Sequence, residues 1–344
     1  MLTTEDIKKG IAEQASHYAK GAFDSYFKYC SDKVVKGIFI NHQIRFTQPR
    51  ALNDPLEFNP TMRFDQPHVN YQYYEFNGLH FPSIEFFFRV QIIESQINSF
   101  GILSLTKIPN SFDMWSHYAN GHKGFVLEFK EDFWHLPCMK SEKGDERSFG
   151  KVEYVEDYAI NLDALVGSGT EIPVDLLLKE LFFKKTSRWS YEREYRLVRP
   201  LTDSPDYKPP ELRYPYTDVG MYLFPFDLEC ISSVILGAAM TAEDKQLVIE
   251  SCEQRNIPVS QALIVKDMND MSGKPATIYH LWLDDFPSKS HLLRMKPQLF
   301  CSDTASLGNQ RTFKINKITD LPYYKGHEEI VEELYHNLKK DRDA

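Results

Sequence analysis

This chain of 344 residues predicts an α+β fold: a mixed, mainly antiparallel sheet core with peripheral helices. Three observations lead there. Short stretches that alternate apolar and polar residues, such as Ile44-Arg-Phe-Thr47 and Lys151-Val-Glu-Tyr-Val155, recur between irregular loops. Helical periodicity appears only in isolated segments and does not alternate regularly with strands, which argues against a parallel βαβ sheet. The 24 Phe and 19 Tyr supply enough large side chains for a substantial aromatic core.

Taken in order, residues 4–20 predict a polar helix capped by Thr4, with Ile7, Ile11, Ala15 and Tyr18 near one stripe. Tyr26-Phe-Lys-Tyr29 reads as extended, and Ser31 or Asp32 caps a short helix running to Ile40. A strand over 44–47 ends at Pro49. Ala51-Leu-Asn-Asp-Pro-Leu-Glu57 is turn chemistry, because Asn and Asp side chains bond their own backbone and Pro fixes φ. Residues 58–81 lack a clear period, and 83–98 become helical, with Phe87, Val90, Ile93 and Ile97 close to one stripe.

A strand at 102–105, a helix near 110–119 and a strand at 125–129 follow, the last two joined by a turn at Gly121 and Gly124. Strands are expected at 151–155, 221–224, 231–236, 258–265 and 276–283, and a turn leads into a strand over 188–198. Helices are expected at 174–185 and 328–340, and another runs from the Thr241 cap to Gln254 with Glu243 and Asp244 in its first turn. The implied organisation is a helical appendage at 1–25 and a main domain at 26–285 with an insertion at 58–99. A C-terminal extension at 286–344 ends in a helix.

Composition restricts the partners. The net charge of −9 argues against a broad electrostatic grip on duplex nucleic acid, while leaving room for a local basic groove. The N-terminus lacks a signal-peptide core, and no run reaches the ~18–20 apolar residues of a membrane helix. The five cysteines are scattered and show no C-x-x-C spacing, which predicts reduced thiols and a cytoplasmic protein.

The densest cluster of reactive side chains is Ile102-Leu-Ser-Leu-Thr106 with Met114-Trp-Ser-His-Tyr-Ala-Asn-Gly-His-Lys-Gly-Phe125. These stretches, together with Phe46-Thr-x-Pro, Asn53-Asp-Pro-Leu-Glu57, Trp189-Ser-Tyr-Glu-x-Glu-Tyr-Arg-Leu197 and Val234-Ile-Leu-Gly237, resemble the bacterial family called domain of unknown function 2971. The resemblance covers residues 26–265. That family carries no activity with it.

A looser likeness concerns chain order. Arg45, then Ser104 and Thr106, then Glu192 and Glu194 resemble the arginine, serine-x-threonine and glutamate-x-glutamate series of ADP-ribosyltransferases. The resemblance implies that Arg45 clamps the NAD pyrophosphate, with His42 as the alternative where that superfamily uses His. Ser104 and Thr106 would support the pocket, and Tyr118 or Tyr191 would stack on nicotinamide. Glu192 or Glu194 would stabilise the oxocarbenium-like charge as nicotinamide leaves.

On a strand, Glu192 and Glu194 share a face by period two. They also read, as charge runs ordinarily do, as part of a salt-bridge lattice with Arg196 on an exposed strand. His117 is placed in the cleft as an acid/base group or a satisfied core histidine; its pairing with His122 does not make a metal site. Asp54, Glu57 and Glu128 are the carboxylates of a metal-dependent nuclease alternative.

The leading expectation is therefore an NAD-using, ADP-ribosyltransferase-like enzyme in a bacterial toxin or antiviral-defence setting. Its catalytic residues would be Glu192, Glu194 and His117, and its partners a nucleotide small molecule and a protein or nucleic-acid acceptor, with no membrane. A non-catalytic nucleotide- or protein-binding module is the other class.

Overall fold

In a computed structural model the chain folds as two compact units, each assembled from discontinuous segments. The structure describes residues 25–54, 56–63, 74–76, 79–81, 97–136, 139, 148–161, 179–204, 220–266, 277–282 and 299–301.

The first unit takes the chain up to His42, then Lys107–Phe133, then the chain from Asp227 onward. Its strands lie side by side in the order Thr277–Trp282, Val259–Lys266, Ile231–Leu236, Phe125–Phe129, Tyr26–Cys30. All neighbours in that order are antiparallel except Ile231–Leu236 and Val259–Lys266, which run parallel and are joined through the helix Ala242–Glu253. Leu299–Cys301 pairs parallel with Val259–Lys266. The Phe125–Phe129 strand is buried almost throughout, as a strand covered on both faces must be. Phe39, from the short helix Val35–Phe39, packs its ring 5.3 Å from Phe125.

Two glycines of the family-like motifs meet in this unit. Gly237 N–H donates to the Gly124 carbonyl at 2.9 Å, and Ala239 N–H donates to the His122 carbonyl at 2.9 Å. A Cβ on Gly124 would lie 1.9 Å from the Cys30 carbonyl oxygen, and one on Gly237 would lie 2.2 Å from that of His122. Only glycine permits this approach. The Thr241 cap is present: its hydroxyl accepts from Asp244 N–H and closes the helix start.

The second unit comprises Gln43–Thr106 and Trp134–Phe226. At its centre Glu194–Pro200 lies antiparallel between Phe100–Thr106 and Ser148–Lys151. Gln43–Phe46 pairs antiparallel with Tyr222–Pro225, and Phe46 meets Phe224 edge-on at 5.1 Å. Two parallel pairs, Thr61–Arg63 with Ala159–Asn161 and Lys184–Thr186 with Glu153–Val155, complete the described ladders outside the antiparallel pair Tyr74–Phe76 and Leu79–Phe81. Phe58 and Phe100 both stack edge-on against Phe182.

The expected class, α+β with a mixed, mainly antiparallel sheet, is what the molecule has, with a few helices beside the sheet strands. Several details differ. Lys184–Thr186 is a strand and not the end of a helix, because its backbone pairs with Glu153–Val155. The expected strand at 151–155 is two, Ser148–Lys151 and Glu153–Val155, which pair with different partners on either side of Val152. Glu192 ends a 3-10 helix, Ser187–Glu192, and does not lie on the strand. Cys30 and Cys252 are free and buried, but Cys230 is disulfide-bonded, correcting the expectation of thiols throughout. The helices expected at 4–20 and 328–340, and all but the last two residues of the one at 83–98, lie outside the described residues.

Candidate functional site

The second unit buries a cluster of charges that four separate pieces of sequence supply. Glu57 comes from the turn after Asn53-Asp54, and Lys185 from the Lys184–Thr186 strand. Glu192 ends the 3-10 helix, and Glu194 and Arg196 open the strand that follows. Lys185 Nζ lies 2.8 Å from Glu192 Oε2, 3.3 Å from Glu194 Oε2 and 3.4 Å from Glu57 Oε2. An ammonium has three donors, and three carboxylates surround this one.

Arg196 is the second cation and has no exposed surface. Its Nε and Nη2 each donate to the Glu194 carboxylate at 2.9 Å, a bidentate pair, while Nη1 donates to the Phe182 carbonyl at 2.8 Å. Nη2 also donates to Glu57. Its guanidinium carbon lies 5.6 Å from the centre of the Phe58 ring. Burial pushes the Arg196 guanidinium down to about 9, so it remains charged at neutral pH.

The backbone explains why the two glutamates converge. Arg193, between them, is left-handed at φ 43° and ψ 52°, an uncommon conformation for a non-glycine residue. It turns the chain from the 3-10 helix into the strand. Glu194 N–H then donates to the Tyr154 hydroxyl at 2.8 Å. Burial, the dominant cause, raises the Glu194 carboxyl above its ordinary range; Lys185 pulls it back and Glu192 pushes it further up. Burial likewise raises the Tyr154 phenol, which stays neutral.

The strand register carries Ser104 and Thr106 to the same place. Thr106 is directly opposite Glu194 and Ser104 directly opposite Arg196. Partners and alternate residues share a face of the ladder, so all four side chains belong to one face. Ser104 hydrogen-bonds the Glu194 carboxylate, and the Thr106 hydroxyl donates to the Glu192 carbonyl at 2.6 Å.

Beside the cluster, Asp54 accepts from the Trp189 indole N–H at 2.7 Å and from Arg188 at 3.0 Å. Lys185 Nζ stands 4.9 Å from the centre of the Trp189 ring.

Of the expected residues, the structure thus brings together Ser104, Thr106, Glu192 and Glu194. The lattice is buried, which corrects its reading as part of an exposed strand. Arg45 is in the same unit, half-buried on the Gln43–Phe46 strand opposite Leu223, and among the described residues its buried Nε has no hydrogen-bond partner.

His42, His117 and Tyr118 belong to the first unit. His117 is exposed on the last turn of the helix Phe112–Tyr118, with its ring edge-on to Tyr118, so it is not a core histidine. His42 is half-buried, at φ 51°, with Nε2 3.4 Å from an Arg255 nitrogen. The buried histidine of that stretch is His122. It stacks flat on Trp115 at 6.1 Å and reaches Ser116 Oγ at 3.3 Å, and burial lowers its imidazole. Positive φ at Asn120, Gly121 and His122 explains why the helix stops and separates the two histidines.

The nuclease carboxylates do not form a metal site. Asp54 binds Arg188 and Trp189, Glu57 binds Arg196, and Glu128 accepts from the Ser233 hydroxyl. Among the described residues no group of three or more His, Cys, Asp or Glu is arranged to hold a metal ion. Among them, too, no helix is long and apolar enough to cross a membrane.

Sequence reasoning missed Lys185 and Tyr154 as members of the cluster, tied Arg196 to the glutamates only on an exposed strand, and assigned Glu57 to a different site. One signal was available: Arg196 stands in Leu197-Val198 surroundings that predict burial, and a buried guanidinium requires carboxylate partners.

Residues 114–197, from Met114 of the first-unit helix to Leu197 of the central strand, match the model of a family described as protein of unknown function (DUF2971). No curated protein and no solved structure matches the chain.

Proposed function

We propose that the second unit is an NAD-using, ADP-ribosyltransferase-like enzyme, with Glu194 or Glu192 as its working carboxylate. The observation that supports this reading is the register of Phe100–Thr106 against Glu194–Pro200, which sets the Ser-x-Thr element directly beside the second glutamate of Glu-x-Glu. Arg45 adds to it as a guanidinium in the same unit whose buried Nε finds no partner among the described residues. Such a group suits a pyrophosphate.

In the proposed reaction the bond from the ribose anomeric carbon to the nicotinamide ring nitrogen breaks, and nicotinamide leaves with the electron pair. A carboxylate stabilises the oxocarbenium-like carbon. An acceptor nucleophile then bonds to that carbon and gives up its proton. His42, His117 and Tyr118 are given no part. The toxin or antiviral-defence setting and a protein or nucleic-acid acceptor belong to the same proposal.

A second reading, a non-catalytic module, is favoured by one observation: Glu192 and Glu194 are only 3% and 4% exposed, and both are ion-paired. On that reading the cluster fixes the conformation of the unit. Incubating the full chain with NAD labelled in the adenylate, alongside candidate acceptors, separates the two. Release of nicotinamide together with label on an acceptor or in free ADP-ribose is the result expected. Intact NAD after prolonged incubation favours the module.

A further inference from the structure

We infer that Lys185 is the positioning residue of this site: it holds Glu192 and Glu194 in register across the left-handed turn at Arg193. The inference rests on the reading of those glutamates as the working carboxylates. Three observations carry it.

The first is geometry. Glu192 and Glu194 sit on different elements, and Lys185 Nζ, from a third, reaches both, at 2.8 and 3.3 Å. The Arg196 contacts described above lead to Glu194 and Glu57. The second is conformational. Arg193 adopts φ 43°, where a side-chain-bearing residue is held only by its surroundings. Those surroundings include the Lys185–Glu192 contact on one side of the turn and the Tyr154–Glu194 contact on the other.

The third is packing. Lys185 is 3% exposed, its strand is fixed by pairing with Glu153–Val155, and its ammonium faces the Trp189 ring of the same 3-10 helix. A buried ammonium so held has little freedom to relax, and neither have the carboxylates bound to it.

Lys185 also acts electrostatically. Its charge pulls the Glu194 carboxyl down against the burial that raises it. Removing the charge moves the protonation of Glu194 to higher pH, and a lysine-to-arginine exchange restores it.

The test compares the full-length wild type with Lys185→Met and Lys185→Arg, by nicotinamide release from NAD and by amide hydrogen exchange. For Lys185→Met, kcat should fall about a hundredfold with KM within about threefold, which is the pattern of a lost transition-state arrangement. The acid limb of its pH–rate profile should move to higher pH. Lys185→Arg should recover at least about tenfold in kcat and restore that limb. Amides of residues 187–194 should exchange at least about tenfold faster in Lys185→Met, and those of the first unit at the wild-type rate.

A Met variant with wild-type kcat and wild-type exchange at 187–194 overturns the inference, as does an equal loss in the Met and Arg variants with no shift of the limb. Should wild type release no nicotinamide, the transferase reading fails by itself. Exchange at 187–194 then decides the positioning role: local acceleration upholds it, unchanged rates overturn it. Should Lys185→Met not fold, Lys185→Arg decides alone: wild-type exchange at 187–194 upholds the inference, and accelerated exchange there overturns it.

Discussion

Arg196 shows at the scale of one residue how this chain uses charge. A guanidinium with no exposed surface is stable only with its donors matched, and here Glu194, Glu57 and the Phe182 carbonyl match them. Breaking a buried ion pair from one side costs about 3–5 kcal/mol, because the remaining charge is left without compensation. Arg196→Met should therefore destabilise the protein by about that amount in chemical denaturation. Loss of less than about 1 kcal/mol would mean that the network relaxes or is solvated on substitution. The residues of this site were partly legible in sequence. Glu192, Glu194, Ser104 and Thr106 stood out by type and order. Glu57 pairs with a residue 139 positions away, and no local pattern reports such a pairing.

At the scale of elements, local rules worked wherever local interactions decide. The Thr241 cap, the alternation at 44–47 and the turn around Gly121 all formed as read. They failed where tertiary pairing overrides propensity. Lys184–Thr186 extends a helical-looking pattern but becomes a strand because a partner strand is there. The alternating Glu192-Arg-Glu194 mimics a continuous strand, and only the left-handed Arg193 breaks it.

The glycine contacts in the first unit give this scale its own prediction. Gly237→Ala places a methyl 2.2 Å from the backbone oxygen of His122 and 2.4 Å from that of Gly124. Backbone cannot swing aside as a flexible side chain can, so destabilisation of about 1–3 kcal/mol or more is expected in thermal or chemical unfolding. A stability within about 0.5 kcal/mol of wild type would show that this approach is not rigid.

For the molecule as a whole, buried titratable groups set the response to pH. Lys245 of the Ala242–Glu253 helix is fully buried, and burial lowers its ammonium from 10.5 to about 8. The folded state thus holds the Lys245 proton less tightly than the unfolded chain does. Its stability contribution is fully present above pH 10.5 and is lost as pH falls through about 8. Between those limits the melting temperature of wild type should rise with pH relative to that of Lys245→Met; parallel curves for the two would contradict the assignment.

Whether the buried glutamates carry out chemistry is decided by a paired measurement on Glu194→Gln. Nicotinamide release from NAD and the free energy of unfolding are compared with wild type on the same preparations. The transferase account predicts that wild type turns NAD over and that Glu194→Gln remains folded but loses about 10²–10⁴-fold in kcat, with Glu192→Gln measured beside it as the alternative. Wild type without turnover, or turnover indifferent to both substitutions while stability falls, would contradict it and leave the cluster a structural clamp.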